Sequence, residues 1–234
     1  MGFIFLGVYI LIGLVNLMSA AFFWETPRKI TKAALMPVLL AFYIFSAGDL
    51  IIPVIPALIF SFAGDVLLIK KEDPRFFKLG LAAFLVSHIF YIISFLLLAG
   101  ILYGQAAGGG VVQPASLPSR NEVTHGIGLI VSIIVGVPLG LLILKLLNPS
   151  KVMRIPVTAY AVVIELMSIA ALQLMLARFN GPSILIFAGS LGYIFSDSFM
   201  AYFSFNGKPK YFNFMTMLPY IIVQGCIVGG LVLS

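Results

Sequence analysis

Long apolar stretches separated by short polar breaks repeat along this 234-residue chain, and that repetition constrains its fold more than any single residue does. A hydrocarbon layer about 30 Å thick takes roughly 20 apolar residues per helical crossing. Spans of that kind fit near 3–23, 31–48, 51–69, 76–101, 123–147, 155–177, 182–204 and 211–233. The expected fold is an all-α membrane protein, one polytopic domain over 1–234 built as a bundle of about eight transmembrane helices. Composition agrees. Only 9% of residues are charged, against about 25% in a soluble domain, so lipid is the main solvent. The first apolar run is preceded by no Lys or Arg and is longer than a signal-peptide core, so it reads as the first span. Pro37, Pro53, Pro56, Pro138 and Pro219 fall inside spans, where neighbouring helices can satisfy the freed carbonyls and kinks are expected.

Basic residues supply an independent check, because Lys and Arg in short loops collect on the cytoplasmic side. With eight spans, one side holds Arg28, Lys29, Lys32, Lys70, Lys71, Arg75, Lys78, Lys145, Lys151, Arg154, Lys208 and Lys210. The other holds only Arg120 and Arg178 of the 14 basic residues. The basic loops are therefore expected in the cytoplasm and both termini outside, with the chain in the cell membrane. The net charge of +6 comes from these topology signals rather than from a patch with aromatic platforms, so no nucleic-acid partner is expected. The longest break, about 102–122, contains Gly108-Gly109-Gly110, Pro114 and Pro118 and reads as a flexible external loop. Cys226 is the only cysteine, which excludes an internal disulfide and a thiolate metal cluster.

Of the eight acidic residues, Glu25, Glu72, Asp73 and Glu122 fall in loops and Asp49 at the external end of span two. Asp65, Glu165 and Asp197 remain inside spans, joined by His88. An ionisable group at membrane depth costs about 2.5–3.5 kcal/mol on insertion scales, so function is the default reading for such a set. At 1.5 Å per residue, Asp65 and Asp197 lie roughly 6–10 Å short of the cytoplasmic end, and His88 and Glu165 roughly 15–18 Å from it. Ser61, Tyr193 and Ser168 share a helix face with Asp65, Asp197 and Glu165 respectively. Gly189 and Gly192 allow another helix to approach span seven closely. Without a function, Asp65 and His88 would form a neutralising pair and Glu165 would be protonated or bonded to Gln173 or another helix. Asn16 and Gln224 read as interhelical hydrogen-bonders.

At these residues the chain resembles the YhhN family of membrane proteins, which includes the lysoplasmalogenases. The resemblance rests on Ser61-Phe62-Ala63-Gly64-Asp65-Val66-Leu67-Leu68, on the stretch from Phe77 through Gly80, Phe84 and His88 to Tyr91, and on Phe195-Ser196-Asp197-Ser198. It extends over most of residues 30–230. The family often has Lys-Pro where this chain has Lys32-Ala33. The resemblance implies hydrolysis of the vinyl ether bond of a lysoplasmalogen to a fatty aldehyde and a glycerophospho-headgroup, with lysophospholipid and membrane lipid as partners.

Vinyl ethers hydrolyse when a proton reaches the alkene carbon and water captures the resulting oxocarbenium ion. Two carboxylates in a water-poor pocket suit that task, and Asp65 and Asp197 are the candidates for acid and anion, in either order. His88 is the candidate to orient an aspartate or relay a proton. Lys32, Ser61, Tyr91, Glu165, Tyr193 and Ser196 are candidates for substrate contacts, with Lys32, Lys70 or Arg75 on the lipid phosphate. No metal or other cofactor is called for, since His88 and His125 are the only histidines and a zinc hydrolase would need more ligands. The alternative is a proton-coupled transporter of a small or lipid-like solute, in which buried carboxylates carry protons.

Overall fold

A computed structural model describes residues 2–70, 72–100, 145 and 151–234. The described residues form seven helices and one 3-10 turn: α1 (Phe3–Ala21), α2 (Glu25–Ser46), α3 (Val54–Leu67) followed by the 3-10 turn Leu68–Lys70, α4 (Pro74–Leu98), α5 (Lys151–Ala177), α6 (Gly181–Asn206) and α7 (Phe212–Leu233). All but α3 are long and apolar enough to cross a membrane. The span expected over 123–147 lies outside the described residues except for Lys145, which is helical and exposed. The loop expected over 102–122, with Arg120 and Glu122, and also Lys71 and His125, lie outside them too.

Two expected boundaries move for identifiable reasons. α2 begins at Glu25 rather than near 31, so Arg28 and Lys29 are helical instead of lying in a loop. Their charges are accommodated on the helix by ion pairs with Glu25, at 2.7 Å for Arg28 and 3.4 Å for Lys29. The third span is shorter than expected: α3 has 14 residues, about 21 Å of helix. Pro53 caps it and Pro56 lies in its first turn, where a missing N–H is tolerated. The bend from α2 into α3 is pinned by Tyr43, whose hydroxyl accepts from the Ile51 N–H at 2.7 Å and donates to its carbonyl at 3.2 Å.

Each helix packs on its neighbours in the described chain, and α7 returns to pack on α1 and α2 as well as α6, which closes the bundle. Glycines set the closest approaches. A Cβ on Gly192 would stand 2.4 Å from Val223 Cγ1, and one on Gly189 would meet Ile227 Cγ1 at 2.8 Å, so α6 and α7 are in near-backbone contact as expected. Gly64 of α3 likewise receives the Phe84 ring of α4, which a Cβ would meet at 2.6 Å.

Contacts between turns place the basic segments at one end. Lys208 in the α6–α7 turn pairs with Glu72 in the α3–α4 turn at 2.5 Å. Phe23 in the α1–α2 turn stacks on Tyr211 with centroids 5.7 Å apart. The opposite end carries Arg178 and a capping box at the start of α6, where Asn180 accepts from the Ser183 N–H at 2.9 Å.

Candidate active site

Lys32, Tyr160, Asp197 and Tyr220 each lie about two turns in from the basic end of their helices, and Asp65 lies in the last turn of α3. They meet around a cavity of about 40 Å³, whose lining also includes Arg28, Phe84, Ser196 and Asn213. A water needs about 10–15 Å³ of such space, so the cavity has room for two or three.

Asp65 is 1% exposed and is held from two sides. Lys32 Nζ of α2 lies 3.3 Å from its Oδ1, and the Tyr220 hydroxyl of α7 donates to its Oδ2 at 2.8 Å. Asp197 of α6 accepts a hydrogen bond at Oδ2 from the Tyr160 hydroxyl of α5. The carboxylates therefore differ in company, since one faces an ammonium and a phenol and the other a phenol. Both line the same cavity, although Asp65 stands two residues from the end of its helix and Asp197 nine.

His88 lies one turn deeper along α4 than Phe84, whose carbonyl stands 2.5 Å from its Nδ1. That contact needs the proton on Nδ1. In the neutral ring Nε2 is then an acceptor, and it is buried with no hydrogen-bond partner among the described residues. The ring is edge-on to Tyr160 and Tyr193, at centroid separations of 5.5 and 4.7 Å. The Asp65–His88 pair expected of a purely structural site does not form, because Lys32 and Tyr220 occupy Asp65 instead.

Beside His88 lies a second polar layer. Gln224, 0% exposed, accepts from the Tyr91 hydroxyl at 3.1 Å and donates to the Tyr193 hydroxyl at 2.8 Å and to Ser61 Oγ at 3.4 Å. Ser61 and Ser87 share a hydrogen bond of 2.7 Å. Gln224 is interhelical, as the sequence indicates, and it also ties three of the expected site residues together.

Ser196 lines the cavity beside Asp197. Glu165 is not among the lining residues; it is partly buried, and its Oε1 has no hydrogen-bond partner among the described residues. Ser168 on the same helix donates to the Ser190 carbonyl at 3.2 Å. Lys70 lies over the Phe76 ring at 5.1 Å and the Arg75 N–H donates at 2.8 Å to Asp73, which caps α4, and neither Lys70 nor Arg75 lines the cavity. Tyr160 and Tyr220 were not singled out from the sequence. The signal that finds them is a tyrosine two turns inside a span, away from the helix ends where membrane tyrosines concentrate.

Residues 27–231 match the sequence model of the YhhN family. No curated protein and no solved structure matches the chain.

Proposed function

This chain belongs to the YhhN family, and we propose that it is a membrane-embedded hydrolase, seated in the cell membrane with both termini outside, that cleaves the vinyl ether bond of lysoplasmalogens. One observation carries the reading: a buried carboxylate, Asp65, and a partly buried one, Asp197, each held by a tyrosine and, among the described residues, only Asp65 by a lysine, border a single cavity with room for water. A packing role asks only for paired charges. It gives no reason for a second aspartate with no ion-pair partner among the described residues or for water-sized space beside both.

In the proposed reaction, a vinyl ether and one water become an aldehyde and an alcohol. Asp197, bonded to the neutral Tyr160 phenol, serves as the acid and protonates the alkene carbon distal to the ether oxygen. The double-bond electrons form the new C–H bond, and positive charge spreads over the proximal carbon and oxygen. Asp65, ion-paired with Lys32, is the anion that stabilises this oxocarbenium ion and takes a proton from the water that adds to it. The hemiacetal then collapses: Asp65 gives the proton it took from water to the glycerol oxygen as that C–O bond breaks, and the hydroxyl becomes the aldehyde carbonyl, its own proton passing through cavity water to Asp197. His88, edge-on to both Tyr160 and Tyr193, orients the acid side. Ser61, Tyr91, Ser196 and Glu165 remain candidates for contacts along the substrate, with Lys32 at the head of the pocket.

The test is purified protein given a lysoplasmalogen, with free fatty aldehyde as the readout. Aldehyde release with first-order dependence on enzyme is expected. In proteoliposomes, uptake of intact lipid with no aldehyde would replace the hydrolase by a proton-coupled transporter.

A further inference from the structure

Arg28 and Lys32 stand four residues apart on α2, so they share a face, and both line the cavity. Their side chains are 12% and 13% exposed. Lys32 is committed to Asp65. Arg28 is only partly committed: Nη2 donates to Glu25 at 2.7 Å, and Nε is buried with no hydrogen-bond partner among the described residues. A guanidinium is a rigid fork that grips two oxygens of one group, and Glu25, 55% exposed, is held through one arm.

The surroundings keep this fork in place. Asn16 of α1 donates to the Arg28 carbonyl at 2.9 Å and to Thr31 Oγ1 at 2.8 Å, which fixes the start of α2 at the cavity mouth. Another wall of the cavity includes Asn213, in the first turn of α7. The positive end of that helix dipole lies there, where an anion is favoured.

We propose that Arg28 and Asn213 form a subsite for the phosphate of a lysolipid headgroup, one helical turn from the reacting carboxylates toward the basic end. The lipid identity rests on the hydrolase reading above; the phosphate chemistry rests on the Arg28 fork. Arg28 lies about 6 Å along the axis from Lys32. In a lysoplasmalogen six bonds separate the vinyl carbon from phosphorus, a fully extended reach of about 8 Å at ~3.8 Å per three bonds. A phosphate on Arg28 thus sets the vinyl ether at the level of Asp65 and Asp197.

The experiment measures binding of two uncleavable ethers to the purified full chain, 1-O-hexadecyl-glycerophosphoethanolamine and 1-O-hexadecylglycerol, which lacks the phosphate. The wild type is expected to prefer the phospholipid by about 10–100-fold, the range that charge-assisted hydrogen bonds carry. Arg28→Gln should reduce the two affinities to parity by weakening the phospholipid alone, and Arg28→Lys should keep part of the preference. Lys29→Gln, which alters an exposed neighbour on the same turn, should keep all of it. Equal affinities in the wild type, or an undiminished preference in Arg28→Gln or Arg28→Lys, would overturn the subsite. Inorganic phosphate should not displace the lipid at comparable concentration; if it binds as tightly, the occupant is free phosphate and the lipid assignment is wrong. Because neither ether is cleaved, these outcomes stand apart from the vinyl ether assay, which alone decides the reaction.

Discussion

Two polar layers lie side by side in this bundle, and they are built on opposite principles. The layer around Asp65 and Asp197 is charged, borders water-sized space and includes an ion pair. The layer around Gln224 is neutral and closed, with Tyr91, Tyr193, Ser61 and Ser87 bonded to one another through it. A buried network whose members satisfy each other fixes one arrangement of helices. Carboxylates beside free space keep lone pairs for something else. On the proposed function, the first layer does the chemistry and the second aligns it, with His88 in ring contact with both.

The largest effect should separate the layers outright. Asp65→Asn and Asp197→Asn keep size and most hydrogen bonding, yet each should lower aldehyde release by about 10²–10⁴-fold, the worth of one positioned acid or base. Gln224→Leu should keep turnover per folded molecule within a few-fold. If Gln224→Leu were as inactive as the aspartate variants while remaining monodisperse, the division of labour would be wrong.

A second effect sharpens the description of the charged layer. Lys32→Met strips Asp65 of its cation and should cost about 3–5 kcal/mol of stability, as removal of one partner of a buried pair does. Adding Asp65→Asn should restore much of that loss, which thermal or denaturant unfolding in detergent would record. Additive losses would mean that the two side chains do not interact.

The smallest effect belongs to the neutral layer. Gln224→Ala leaves the Tyr91 and Tyr193 hydroxyls with a lost partner and should cost about 1–3 kcal/mol. Hydrogen exchange should loosen α7 against α4 and α6 more than α2 against α3. Unchanged exchange at α7 would remove the structural role given to Gln224.

Much of this was legible in the sequence, and unevenly so. Helix positions follow from apolar runs, so the described helices fall close to their expected spans. The ends are harder, because a basic residue reads the same whether it lies in a loop or in a first helical turn. Arg28 illustrates this: it counts as a topology signal by sequence, and the fold turns its side chain into a wall of the cavity. Asp65 and Asp197 were visible because a carboxylate in an apolar run is rare. Their tyrosines were not, since Tyr220 reaches Asp65 across 155 residues and Tyr160 reaches Asp197 across 37. Periodicity says which residues share a face, and only packing says which faces meet. The closed layer shows the same limit, as Gln224 draws its partners from α3, α4 and α6.

The central claim is that the charged layer delivers a proton to the alkene carbon of a vinyl ether, and cleavage in deuterated water tests it most directly. Purified protein turning over a lysoplasmalogen in D2O, with the aldehyde trapped as it forms, should yield a product carrying one deuterium on the carbon next to the carbonyl. The Asp65→Asn, Asp197→Asn double variant should yield none above background. Aldehyde released without deuterium at that carbon, or formed at the wild-type rate by the double variant, would contradict the account.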